Sequence, residues 1–317
     1  MLKPQSLLNN HRLALLETAL AISLWALSFI FIKIALFEVS VISLITLRFG
    51  IGAIILSLVL FRRDEHRGIN LDLLLRMAVL GIIGITFQQL LQVSGQVTAD
   101  ASVAAFLAST APAFLVILAA VFLRESLNIW QVLGVLLATL GATVIAVGGG
   151  WQEVAKGRID NPGNLLVLAS AVMWAVFSIL NRKLAKGYPP VIISTGMLFF
   201  GFFVMLPIFL LNRGWQEFYA LSSETWFALL FLGGFCTAGA FLLYTHALKL
   251  EEASRLAAIQ NIEPVIAVTA AVIILNETIS DVLIFGGAAI IIGVYLAERF
   301  APGRLKSINQ FVYNKSK

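Results

Sequence analysis

A glutamate beside a proline, Glu263-Pro264, sits inside a long apolar run from Ala253 to Ile279. A carboxylate in such a place could take and release a coupling proton, or steady the kink opened where proline frees a backbone carbonyl. Arg48 is the unambiguous cation inside another apolar run. It could hold a substrate carboxylate or form a charge pair with Glu263, although the preferred reading is a long side chain snorkelling to a membrane surface. Gln88, Gln92 and Gln96 recur every four residues, which places them on one helix face. Amides offer donors and acceptors without charge. Gln88 and Gln92 therefore suit a hydrated cavity that takes a polar or zwitterionic solute, while Gln96, near the end of its run, is expected to be wet. Trp25 and Trp174 fall mid-run, away from the interfacial belts, where they could stack on a solute or fill a gap between helices. Tyr244, Gln260 and Asn261 complete the candidate lining. Pro112 and Pro264 are candidate hinges. Nothing here reads as catalytic machinery. His11, His66 and His246 lie outside metal-ligand spacing of one another, and no nucleophile–base pair stands out. No metal and no cofactor are expected.

These residues need elements to hold them, and the composition says which. Hydrophobic residues make up 60% of the 317 and charged residues 12%, with mean hydropathy +0.94. Soluble domains carry roughly 45–50% apolar residues and twice the charge. The fold class expected is all-α and integral to a membrane. The first apolar run, Leu13 to Phe37, is too long for a signal-peptide core and reads as a retained span. The single Cys236 excludes an intrachain disulfide. A net charge of +5 does not imply nucleic acid, because basic residues in such a chain set orientation. At roughly 20 apolar residues per span, ten transmembrane helices are expected: 13–34, 40–61, 72–94, 100–122, 128–148, 163–183, 190–211, 225–246, 254–275 and 280–298. Asn161 is placed to cap the sixth, with Pro162 at its first position.

The chain repeats itself. A shift of about 152 positions superimposes Ala101-Ser102 on Ala253-Ser254, Pro112 on Pro264, Glu125 on Glu277, Gly134 on Gly286 and Gly141 on Gly293. Residues 1–148 then form one five-helix unit, 149–161 a linker, 162–299 a second unit and 300–317 a tail. Of the 22 Lys and Arg, only Lys33, Lys156, Arg158 and Arg213 fall on the face away from the N-terminus, and Arg48 lies inside a span. Both termini are therefore expected to be cytoplasmic. An odd number of spans per unit inverts the second unit, the plan of many carriers whose sites lie at the midplane between repeats. Glu125 and Glu277 fall at aqueous joints and read as structural, with Thr278-Ile279-Ser280-Asp281 capping the next helix.

With these residues in place the chain resembles the EamA family of the drug/metabolite transporter superfamily. The resemblance rests on Trp25-x3-Phe29-x3-Lys33, Arg48, Pro112, Glu125, Gly134 and Gly141. It recurs in Trp174, Arg182, Pro264, Glu277, Gly286 and Gly293. The chain departs from the family's usual pattern at Ala26, at Val39-Ser40-Val41 and at Met197. What the resemblance implies is ten helices and export of small metabolites or amino acids, often in exchange for protons. The expectation is a proton-coupled exporter working by alternating access in the cell membrane, as a monomer or homodimer. Its partners would be a small-molecule substrate, protons and the lipid bilayer. Alternatives are a nucleotide-sugar or lipid-type transporter of the same fold, or an integral-membrane enzyme.

Overall fold

The protein is described by a computed structural model covering residues 4–62, 69–123, 127–147, 161–185, 187–250 and 259–299. Glu125, the linker up to residue 160 and the tail from residue 300 lie outside the described residues, as does the side chain of Arg182.

Among the described residues every element is helical. In a bilayer, only a helix satisfies each backbone group within its own segment, so apolar runs of this length have no other stable form. The first half contains α1 (Pro4–Ala35), α2 (Val41–Arg62), α3 (Leu71–Val79), α4 (Gln88–Gln96), α5 (Ala101–Ala108), α6 (Ala111–Leu123) and α7 (Ile129–Val147). The second contains α8 (Pro162–Leu184), α9 (Pro190–Leu211), α10 (Ser223–Phe231), α11 (Ala240–Leu250), α12 (Glu263–Leu275) and α13 (Asp281–Arg299). Helix starts follow from local sequence. Asn161 Oδ1 accepts from Gly163 N at 2.9 Å with Pro162 opening α8, as its sequence predicts. Asn70 and Ser222 do the same for α3 and α10. Among the described residues eight stretches are long and apolar enough to cross a membrane, while residues 263–275 and 281–297 form shorter apolar helices.

Two features depart from plain spans, each at the same register in both halves. Leu80–Phe87 joins α3 to α4 as a π-helical segment, and Leu232–Gly239 joins α10 to α11 in the same way. The expected kinks at Pro112 and Pro264 are instead breaks. The helix stops at Ser109-Thr110, and again at Asn261-Ile262, and each proline stands at the start of the helix that follows. Proline is favoured there because its missing N–H would have no intrahelical partner.

Across the seam between the halves, α7 and α13 run antiparallel. The most extensive helix contact joins α7 to α13, which occupy equivalent places in the two copies. A Cβ added at Gly134 would stand 2.5 Å from the Gly293 carbonyl oxygen, and one at Gly141 would stand 2.6 Å from that of Gly286. Each glycine thus faces the repeat counterpart of the other, as a two-fold relation between inverted copies requires. Gly134→Leu is expected to cost about 1–3 kcal/mol by overpacking. It should lower the thermal midpoint in detergent, and an unchanged midpoint would reject this seam. Two apolar clusters complete the core. One joins α2 and α9 through Leu44, Phe49, Met197 and Leu198, and the other joins α5, α7, α12 and α13 through Phe106, Ala138, Ala267 and Ile290. Side chains from both line the site.

Candidate functional site

A central cavity of about 160 Å³ lies where the halves meet. That is space for on the order of ten water molecules. Trp25 and Ser28 of α1 line it, with Arg48 of α2, Gln88, Gln89 and Gln92 of α4, Trp174 of α8, and Gln260, Asn261, Glu263 and Pro264 around the second break. Pro112 and Ser109 line it at the first break. Residues scattered from position 25 to position 264 thus converge on one space.

The site is built by the irregular segments. A π-helical segment and a broken helix each release backbone from the regular ladder, which membrane proteins tolerate where the backbone lines a cavity. At the first break, Ser109 Oγ donates to Phe106 O at 2.7 Å and Thr110 Oγ1 to Leu107 O at 2.6 Å. At the second, α12 begins with Glu263, so a carboxylate sits at the positive end of the helix dipole. No hydrogen bond or ion pair holds that carboxylate among the described residues.

Arg48 does not reach for the membrane surface. It is 7% exposed. Its Nε donates to Thr237 Oγ1 at 2.9 Å and its Nη1 to Gln89 Oε1 at 3.1 Å. Thr237 belongs to the π-helical segment of the opposite half, so Arg48 ties that segment to α4. The charge pair weighed for Arg48 and Glu263 is not made: among the described residues no carboxylate lies within 4.0 Å of the guanidinium. Its hydrogen-bond partners hold it in the cavity wall instead.

Trp25 and Trp174 both face the cavity. Trp25 meets Phe241 edge-on at 5.8 Å between centroids, and Trp174 leans on Phe177 at 5.1 Å. Phe177 fills the space left by Gly84, where any Cβ would collide with its ring. Tyr244, the repeat counterpart of Gln92, lies outside the lining. Its ring packs on Trp25 at 5.3 Å and its hydroxyl accepts from Gln260 Nε2 at 3.5 Å. Gln96 is buried rather than wet, and neither of its amide atoms has a partner among the described residues. Two further residues shape the lining. Gln89 joins Arg48 to Gln88, and Phe241 supplies the second aromatic wall beside Trp25. Gln89 falls off the four-residue spacing, so periodicity alone does not find it.

Beyond the cavity, both ends of the bundle carry polar ties. Towards the N-terminal end, His246 Nδ1 of α11 lies 2.8 Å from the Glu17 carboxylate of α1. At the other end, Lys33 Nζ donates to Gln96 O at 3.1 Å and Ala99 O at 2.8 Å. Glu277 plays the structural part its place at a joint suggests, and plays it across the halves. Its carboxylate accepts from Ala101 N at 2.7 Å, Ser102 N at 3.0 Å and Ser102 Oγ at 2.5 Å, capping α5 in the opposite half. The turn that aims it is local: Asn276 adopts φ 55°, the left-handed conformation asparagine tolerates. Asp100, between these groups, has its carboxyl pushed above the usual range by burial and by the Glu277 charge, with Lys33 opposing.

Comparison with known proteins agrees with this architecture. The family model described as "EamA-like transporter family" matches residues 12–147 and again 161–299. An "Uncharacterized transporter" of Archaeoglobus fulgidus is 28% identical over 284 residues, which is 89% of this chain and 97% of that one. A "Probable terminal-alkyne amino-acid exporter" of Streptantibioticus cattleyicolor is 29% identical over 286 residues, covering 90% and 93%. A solved structure titled "Crystal structure of protein" superimposes with a TM-score of 0.61 at 23% identity, over 91% of this chain and 98% of that one, and supports the fold alone.

Proposed function

The chain belongs to the EamA-like transporter family, and from that premise we propose that it exports small amphipathic metabolites, amino acids first, by proton-coupled alternating access. It is a multi-pass membrane protein and a transporter rather than an enzyme. On this reading ten helices span the cell membrane as two inverted five-helix units, 1–148 and 162–299, with both termini cytoplasmic. Solute enters the central cavity, and the breaks beside Pro112 and Pro264 serve as hinges about which the halves rock.

The observation that carries the reading is the lining itself. It places a cation at Arg48, a carboxylate at Glu263 and aromatic faces at Trp25, Trp174 and Phe241 around one space. A small zwitterion with an apolar side chain complements all three. An anionic sugar nucleotide would want further cations, and Arg48 is the only Lys or Arg among the lining residues. The amino-acid exporter among the relatives supports the same substrate class. Glu263 is the candidate for the coupling proton, because no protein group among the described residues holds its carboxylate. Bias of the cycle needs solute and proton to bind the two states unequally.

Purified protein in proteoliposomes tests this. Saturable counterflow of at least one labelled amino acid is expected, with net flux following an imposed pH gradient. Absence of saturable movement across a panel of amino acids and related metabolites would reject transport of this class.

A further inference from the structure

Four polar side chains in the cavity wall form one hydrogen-bonded line. Arg48 Nη1 donates to Gln89 Oε1 at 3.1 Å, Gln89 Nε2 to Gln88 Oε1 at 2.9 Å, and Gln88 Nε2 to Gln92 Oε1 at 2.8 Å. We infer that Arg48 sets the polarity of this amide relay, so that the Gln92 amino group is the donor that reads a carboxylate on the solute, with Gln89 as the positioning residue. The inference rests on the transport reading of the same cavity.

The polarity is forced by chemistry. A guanidinium has five N–H donors and no acceptor, so Gln89 must turn its oxygen towards it. The remaining Gln89 group can then only donate, and Gln88 must offer its oxygen. Gln88 in turn gives its nitrogen to the oxygen of Gln92. The Gln92 nitrogen is left over, with no hydrogen bond among the described residues, on a side chain that lines the cavity. Amide orientation is ordinarily ambiguous, but a line that begins at a pure donor has one solution. Hydrogen bonds in series polarise one another, so the far donor carries part of the cation's influence. The guanidinium itself has no carboxylate partner among the described residues, which leaves its charge for the solute. Contact between the adjacent residues Gln88 and Gln89 is unusual on a regular helix. It occurs directly after the π-helical segment that ends at Phe87.

The test pairs each amino acid that stabilises the purified protein with its own α-carboxamide, an isostere lacking the anionic charge. Wild type is expected to bind the acid at least about tenfold more tightly, a difference of roughly 1.4 kcal/mol. Gln89→Met breaks the line and should bring the two affinities close to parity. Gln89→Glu accepts from both sides, reverses the line and turns the Gln92 oxygen to the cavity, so the amide should become the better ligand. Thermal midpoints of both variants report folding. Equal binding of acid and amide by wild type overturns the inference, as does a Gln89→Glu protein that still prefers the acid. Saturable flux of other solutes with no binding by either member also overturns it. Loss of flux for every solute defeats the transport reading itself.

Discussion

Glu263→Gln is expected to abolish the pH dependence of flux while leaving the protein folded and able to exchange solute. The argument starts from position. Glu263 opens α12, immediately after the break at Asn261-Ile262, and lines the central cavity. A carboxylate at a helix start is favoured by the dipole, yet the side chain has no protein partner among the described residues. A carboxylate locked in an ion pair would stay charged throughout a transport cycle. One held only by cavity water and passing solute is able to change its charge when either changes. Glutamine keeps the size and the polarity and removes the titration. Repeat symmetry sharpens the prediction, because the counterpart of Glu263 is Ala111, so no second carboxylate stands ready at the other break. Proteoliposomes carrying the variant should show counterflow near the wild-type rate. They should lose net accumulation driven by an imposed pH gradient, by about tenfold or more for a loss of 1.4 kcal/mol of coupling. Proton-driven accumulation at the wild-type level would remove Glu263 from the coupling role.

How much of this is legible in the sequence depends on the kind of information each residue carries. The paired segments around Pro112 and Pro264 are legible because a proline, a glutamate and two glycines recur at one spacing. Their packing follows from it: Gly134 and Gly141 meet the counterparts of each other across the α7–α13 seam. Gln88, Gln92, Trp25, Trp174, Gln260, Asn261 and Glu263 are legible as polar or aromatic groups inside apolar runs, and the structure gathers them around one cavity; Arg48, whose sequence favours a snorkelling side chain, stands in the same wall. The π-helical segments are not legible. A single extra residue per turn barely alters hydrophobic periodicity, and nothing in Leu80–Phe87 separates it from an ordinary helix. Gln89 escapes for the same reason, since its contact with Gln88 accompanies that distortion. Gln96 and Tyr244 mislead because burial depends on the partner helix. A residue near a helix end reads as wet until Lys33 and the start of α5 are seen to close over that end. Glu277 is the extreme case. Its place at a joint marks it as structural, but nothing nearby reveals that its donors lie 175 and 176 positions away.

Replacing that carboxylate should have the second large effect. Glu277→Ala is expected to release the start of α5 and leave the central cavity exposed on the side away from the N-terminus. Helix α5 is a short rod with a break at one end and a foreign cap at the other. Its last residues, Ala105 and Ala108, face the central cavity. Its first residues are tied to Glu277, which also borders a second cavity of about 790 Å³ together with Lys33, Asp100 and Glu224. The rod therefore runs from the central cavity to the rim of the second, and its start is held by three hydrogen bonds to one carboxylate. Losing a helix cap costs about 0.5–2 kcal/mol, and charge-assisted bonds stand at the strong end of that range. A loss of one or two kcal/mol changes an equilibrium roughly 5–30-fold. Amide hydrogen exchange over Ala101–Ala108 should accelerate by that factor, with α7 and α13 unchanged, and solute should leak down its gradient without a proton requirement. Glu277→Gln, which keeps one acceptor and adds a donor that Ala101 and Ser102 amides cannot use, should fall between the two. Unchanged protection of α5 in Glu277→Ala would mean that the cap orders a surface turn and does not close the pathway.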